Sequence, residues 1–301
     1  MKSQKEIFSE IANKFVEALS QNIVPWQKPW TCIFGANPNL NELAISYCTK
    51  KPYSMLNQWL LPKGQYLTWN EIQKLGGKVQ KGAKSHSVYG FFPSWLIIET
   101  NEWVKQEPKH LESDQYKLFL AMRSYKVFNV ADCEGITPHT FATPQPKNEE
   151  ETIAIAEETI QGYLNKYPTL KFHKVLQDRA YYSPMLDEVF VPTMAQYQVK
   201  EEFYSTSFHE LAHSTGHASR LNRSGITKFD HFGSDNYATE ELVAEMASAM
   251  TLNYIGVSCE KAFNNSKAYV QNWAQKIKSD PKIVSIACQQ AEKASRLILG
   301  L

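Results

Sequence analysis

The segment His209-Glu210-Leu211-Ala212-His213 constrains this chain more than any other stretch. Residues four apart share one face of an α-helix, so a helix here points both imidazoles at one cation, with about 2.0 Å from each nitrogen to the metal. Glu210 lies one residue round, beside the coordination position the histidines leave open. There it can take a proton from a water and later deliver it to a leaving amine. Phe203, Tyr204, Phe208, Leu211 and Ala212 make the surroundings apolar. The fold must therefore bury this helix and bring a third ligand to it while leaving room for water.

Several residues compete for that third place. Ten positions after His209, where a metzincin carries its third histidine, stands Ser219, although Gly216 matches the turn glycine of that class. His217 follows His213 by four but shares its face only if the helix runs on through Gly216, and otherwise it shapes a turn. About thirty residues downstream, Ala238 to Glu245 reads as the start of a second helix that supplies a carboxylate in the manner of gluzincins. Glu241 is the favoured ligand. Glu245, one turn on, is an alternative ligand or accepts a hydrogen bond from a ligand histidine. Glu240 reads as a solvated acid favoured by the helix dipole. Zinc is the expected metal, and two histidines with one carboxylate also admit manganese or cobalt.

Length and composition set the frame for this site. At 301 residues, with 43% hydrophobic and 21% charged residues, the chain fits two globular domains. Its apolar runs fall far short of the roughly 18 to 20 residues that cross a bilayer. The charged amino terminus lacks the apolar centre of a signal peptide, so no membrane partner and a cytoplasmic location are expected. Five cysteines, never spaced as Cys-x-x-Cys, read as free thiols, mostly buried. The clustered aspartates that two-metal phosphoryl transfer wants are missing around the motif.

Ile7, Ile11, Phe15 and Leu19 form the stripe of an amphipathic helix expected to pack on the first domain. Val24 to Trp30, with two prolines, reads as an extended segment displaying two indoles and a lysine. Thr68 with Glu71 marks a helix start, and Gly76-Gly77 its end. Val88–Ile98 and Ser124–Val130 read as strands of one sheet with a loop between them over Glu99–Gln115. Proline and polar residues crowd into Pro138–Glu151, the best linker. A helix over Glu151–Lys166 and strands at Ala180–Tyr182 and Glu188–Pro192 precede the motif helix. The fold class is α+β, in three segments: 1–138, a linker at 139–150, and 151–301.

The halves differ in charge. Residues 1–140 hold 16 basic and 12 acidic residues, a net +4, and the remainder 16 and 19, a net −3. Between Lys50 and Lys84, seven lysines face the single acid Glu71. Six of the seven tryptophans lie in the first 103 residues, and Trp26, Trp30, Trp59 and Trp69 stand in or near these lysine-bearing segments.

The chain resembles the ArdC-like antirestriction family. The likeness rests on Val24-Pro25-Trp26-Gln27-Lys28-Pro29-Trp30, on Tyr66–Trp69 running into Leu75–Gly82, and on Tyr125–Val130 with Cys133-Glu134-Gly135. In the second half it rests on Phe208–His217, Arg220-Leu221 and Tyr237–Glu245. This resemblance implies a mixed α/β domain that binds single-stranded DNA, followed by a zincin-like metallopeptidase domain with an active-site helix. It implies His209, His213 and a downstream glutamate as metal ligands with Glu210 as the acid and base, and protection of incoming DNA from host restriction. The protein substrate is unknown; host restriction machinery is one expectation. Lys28, Trp30, Lys78, Lys81 and Lys84, with Lys50 and Lys51, are the expected DNA contacts, because lysines track phosphates and aromatic faces stack bases. A protein that only coats DNA, its metal domain structural, is the alternative. The two readings part at Glu210.

Overall fold

The computed structural model describes residues 2–27, 39–143, 147–227, 235–257 and 270–301. The first half holds α1 (Gln4–Ser20), β1 (Ala44–Ser46), α2 (Met55–Leu60), β2 (Gly64–Thr68), α3 (Trp69–Lys74), β3 (Lys78–Val79), β4 (His86–Ile97), β5 (Glu102–Val104), β6 (Tyr116–Asn129) and β7 (Cys133–Glu134). The second holds α4 (Glu149–Lys166), β8 (Lys171–Val175), β9 (Tyr181–Ser183), β10 (Glu188–Pro192), α5 (Lys200–Ser214), α6 (Ser224–Thr227), α7 (Asp235–Ile255), α8 (Val270–Ser279) and α9 (Ile283–Leu299). This is the expected α+β class.

Five strands form one sheet in the order β1-β2-β6-β4-β5, in which only β1 and β2 run parallel. β4 and β6 pair from His86–Val127 to Ile97–Tyr116 and form its spine. The Thr68 hydroxyl accepts from the Glu71 N–H, and the Glu71 carboxylate accepts from the Thr68 N–H at 2.7 Å, so the expected capping box starts α3. In the second half β10 pairs parallel with β8 and antiparallel with β9.

Three expectations change. The span Glu99–Gln115 contains the short strand β5, and β6 begins at Tyr116, well before the aromatic run that announced it. β8 is a strand the sequence did not announce, because Lys171, His173 and Lys174 dilute its apolar alternation. Pro25–Gln27 is a 3-10 turn, and Trp26 is fully buried rather than displayed. Its ring lies 6.3 Å from Phe15 and 5.2 Å from Trp273. Proline tolerates a first helical turn, and an indole this large gains more from burial than from display.

The buried stripe of α1 rests on α8 as well as on β6. One apolar cluster runs from Ile11 and Phe15 through Trp59 and Met122 to Phe208, Met246 and Ala291, joining the two halves. Periodicity says that a face is buried, not which surface buries it. Cys133 and Cys288 are buried free thiols and Cys48 is exposed; Cys32 and Cys259 lie outside the described residues. Among the described residues no helix is long and apolar enough to cross a membrane.

Candidate metal centre

Helix α5 packs along α7, and the site forms where they meet. His209 and His213, one turn apart, bring their Nε2 atoms to 3.1 Å with the rings at 81°. Glu241 of α7 approaches from the other helix, Oε2 3.6 Å from His209 Nε2 and Oε1 3.5 Å from His213 Nε2. Among the described residues these three form the group able to hold a metal, their ligand atoms within 4.8 Å of one another. Glu210 is buried beside them.

A second carboxylate stands behind each imidazole. Glu240 Oε1 lies 3.3 Å from His213 Nδ1. The acid is not solvated, as its place in a first helical turn had indicated: it is 3% exposed and paired with Arg223, itself 6% exposed. Arg223 donates from Nε to Glu240 Oε2 at 2.9 Å and from Nη2 to Oε1. The same guanidinium reaches back to α5, bonding the Ala212 carbonyl at 2.8 Å and the Thr215 hydroxyl at 2.6 Å. Sequence reasoning missed Arg223, since a single arginine in a turn carries no periodic signal. On the other side Glu245 Oε1 is 3.8 Å from His209 Nδ1, and its Oε2 is buried with no hydrogen-bond partner.

His217 is not in the group. Helix α5 stops at Ser214, so the four-residue spacing no longer sets a common face, and His217 Nδ1 accepts from the Ser219 hydroxyl at 2.8 Å and the Ser219 N–H at 3.2 Å. Gly216 lets the following residues pack close against the turn: a Cβ there would meet Ile226 at 2.6 Å and the Arg223 guanidinium at 2.9 Å. Arg220 anchors the turn to the β9–β10 connection, donating to the Ser214 carbonyl at 2.6 Å and to Asp187 Oδ2 at 3.0 Å.

Charge balance shows what the centre can take. Burial disfavours the charged form of His209, yet the hydrogen bond to Glu241 and the charges of Glu245 and Glu210 outweigh it and push the imidazole up to about 10. Burial likewise pushes the Glu245 carboxyl up, helped by Glu241. Burial works against Glu240 too, but Arg223 and His213 hold it below the usual carboxylate range. Four glutamates thus surround two imidazoles with one arginine. Two facing Nε2 atoms need a shared proton or a cation, and the donor set of two imidazoles and one carboxylate fits a divalent ion.

The comparisons with known proteins bear on the family and fold of both halves. Residues 5–128 match the N-terminal domain of anti-restriction factor ArdC, and residues 166–290 match a zincin-like metallopeptidase family. The ArdC protein of plasmid R388 shares the fold across 97% of this chain and 96% of its own, at 23% identity, with TM-scores of 0.65 metal-free and 0.66 Mn(II)-bound. The chain is therefore ArdC-like: it joins an ArdC-type N-terminal domain to a zincin-like metallopeptidase domain. Two DNA primase TraC proteins of Escherichia coli are 29% and 26% identical over 100% and 99% of the chain. The ArdC-like chain spans only 20% and 27% of those proteins. The protein y4eC of Sinorhizobium fredii (strain NBRC 101917 / NGR234) is 25% identical over 96% of the chain and 90% of its own length.

Within the ArdC-like N-terminal half, Lys50, Lys51, Lys78, Lys81 and Lys84 are exposed, the last three around the turn between β3 and β4. Lys28 and Trp30 lie outside the described residues. Of the tryptophans near lysines, Trp26 and Trp59 are core residues, whereas Trp69 is 53% exposed beside Phe128. A tryptophan count alone cannot separate the two fates.

Proposed function

We propose that this ArdC-like chain is an antirestriction-type protein that binds single-stranded DNA without sequence preference and carries a gluzincin-like, metal-dependent peptidase centre. The observation that carries the reading is the convergence of His209, His213 and Glu241 within 4.8 Å beside the buried Glu210. A bound divalent cation would supply Lewis acidity for a peptide carbonyl. Zinc is the proposed metal; manganese and cobalt suit the same donors, and an Mn(II)-bound ArdC shares the fold. In this scheme His209, His213 and Glu241 hold the cation. Glu240 orients His213, and Glu245 orients His209. Glu210 takes a proton from water and passes it to the leaving amine. A protein of the host restriction machinery is the proposed substrate class, and the cytoplasm the proposed location.

The exposed lysines Lys50, Lys51, Lys78, Lys81 and Lys84, together with Lys28 and Trp30, are proposed to track the strand. The segments 1–138, 139–150 and 151–301 are the proposed functional division. The deciding experiment is Glu210→Gln in a restriction-protection assay with metal content measured alongside. Protection should vanish while metal and fold persist. A variant that still protects makes the protein a DNA-coating factor with a structural metal.

A further inference from the structure

Alternate side chains of a strand share a face, so Ser87, Tyr89 and Phe91 of β4 stand on the same side as their β6 partners Lys126, Ser124 and Met122. Helix α1 covers the first part of this strip: the Tyr89 hydroxyl donates to Glu10 Oε1 at 2.8 Å, and Lys14 Nζ sits 5.5 Å from the Tyr89 ring centre. Helix α9 faces the next part. Between this strip, the start of α2 and α9 opens a cavity of about 330 Å³, in the range of sites that hold small organic groups. Tyr89, Phe91 and Met122 line its sheet side, and Leu56 of α2 joins them. Ser285, Gln289, Lys293 and Arg296 line its helix side, at the spacing of one helical face.

We infer that this cavity receives a base of a single-stranded nucleic acid, with neighbouring phosphates held by Lys14 and Lys126 on one flank and by Lys293 and Arg296 in the wall. The inference rests on the single-strand reading above and places part of the strand away from the lysine turn, at the junction of the two halves.

Three observations carry it. The partly exposed Phe91 ring offers a face on which any base stacks, with the buried Tyr89 ring and Met122 thioether forming the apolar floor behind it. Ser285 is 1% exposed, and its Oγ has no hydrogen-bond partner, a condition that buried hydroxyls rarely tolerate. A base edge supplies both donors and acceptors for it, and Gln289 stands in the same wall. Finally, cations outnumber acids on both flanks. Lys2, Lys14 and Lys126 surround Glu10, and Lys126 Nζ donates to Ser87 Oγ at 2.7 Å. Lys293 and Arg296 outnumber Glu292, which accepts from Arg296 at 3.2 Å. Cations on both flanks of an apolar slot match a polyanion with planar side groups. An uncharged apolar peptide would satisfy the slot and leave the cations unused.

The test is fluorescence anisotropy with labelled oligothymidylate on the full chain, for wild type, Lys293→Glu/Arg296→Glu and Met122→Trp. Each variant should lose affinity about tenfold or more, through lost phosphate contacts or lost stacking space. Metal content should match wild type in both variants, and melting temperature should match it in the charge-reversal pair, whereas Met122→Trp fills a buried position and should melt lower. Oligothymidylate carrying 4-thiothymidine should crosslink to peptides containing Phe91, Met122 or Cys288. Should Met122→Trp fail to fold, the charge-reversal pair sits at exposed positions and decides the matter with the crosslinks. Wild-type affinity in that pair, or crosslinks confined to residues 78–84, overturns the inference, leaves strand binding intact and assigns the cavity to another ligand. Absence of wild-type binding at low salt overturns the strand reading and the inference together.

Discussion

The metal centre and the lysine turn of residues 78–84 both gather charge, by opposite physical means. At the centre, Glu240 is 3% exposed and Arg223 6%, so each charge has a partner with defined geometry. Removing one member strands the other in a medium that cannot solvate it. At the turn, Lys78, Lys81 and Lys84 are exposed. Water solvates each of them, and what matters is their number and spacing. Buried charge specifies positions; surface charge specifies only a field.

The sharpest way to break this contrast is Arg223→Met, which leaves Glu240 buried with His213 as its one remaining partner among the contacts described. It should cost about 3–5 kcal/mol in a denaturant melt, against about 0.5 kcal/mol or less for Lys81→Gln. Equal effects would mean that water reaches Glu240, and the buried pair would lose its meaning.

A pH series sharpens the same contrast. In the metal-free protein, His209 is raised from 6.5 to about 10, so its charged form stabilises the fold fully below pH 6.5 and that contribution is lost as pH rises through about 10. A metal must displace that proton. Apparent metal affinity should therefore climb about tenfold per pH unit from neutrality upward, with about one proton released per ion. Calorimetry in buffers of different ionisation enthalpy measures this release. A pH-independent affinity would remove the proton from His209.

The smallest expected effect on the fold belongs to Lys78→Gln/Lys81→Gln/Lys84→Gln. Its melting temperature should stay at the wild-type value, while the slope of log affinity for oligothymidylate against log salt shrinks by about 2, at roughly 0.7 per lost phosphate contact. An unchanged slope would move the strand off the turn altogether.

Parts of this molecule were legible from the chain alone because local rules govern them. The His209–His213 spacing is a property of any α-helix, and the capping box of Thr68 with Glu71 is local chemistry. Glu241 emerged because it lies on a second helix at gluzincin spacing, although that helix begins at Asp235, ahead of the start expected at Ala238. Its neighbour Glu240 was misread, since one residue along a helix turns a side chain by about 100° and only packing decides which carboxylate faces water. Arg223 and the orphaned Ser285 hydroxyl carry no signal in sequence, because each acquires meaning from a helix distant along the chain. Trp26 and Trp69 are the same residue type near similar lysines, yet one is fully buried and the other 53% exposed.

Sequence by itself determined the local elements and the chemistry they can hold: the motif helix, its two imidazoles and glutamate, and a lysine-rich first half. Tertiary structure decided which carboxylates stand in the centre, that Arg223 locks one of them, and that β4, β6 and α9 enclose a cavity across the two halves. The physical reason is range. Helical periodicity acts over four residues, whereas burial, desolvation and pairing depend on neighbours brought together only when the chain closes on itself.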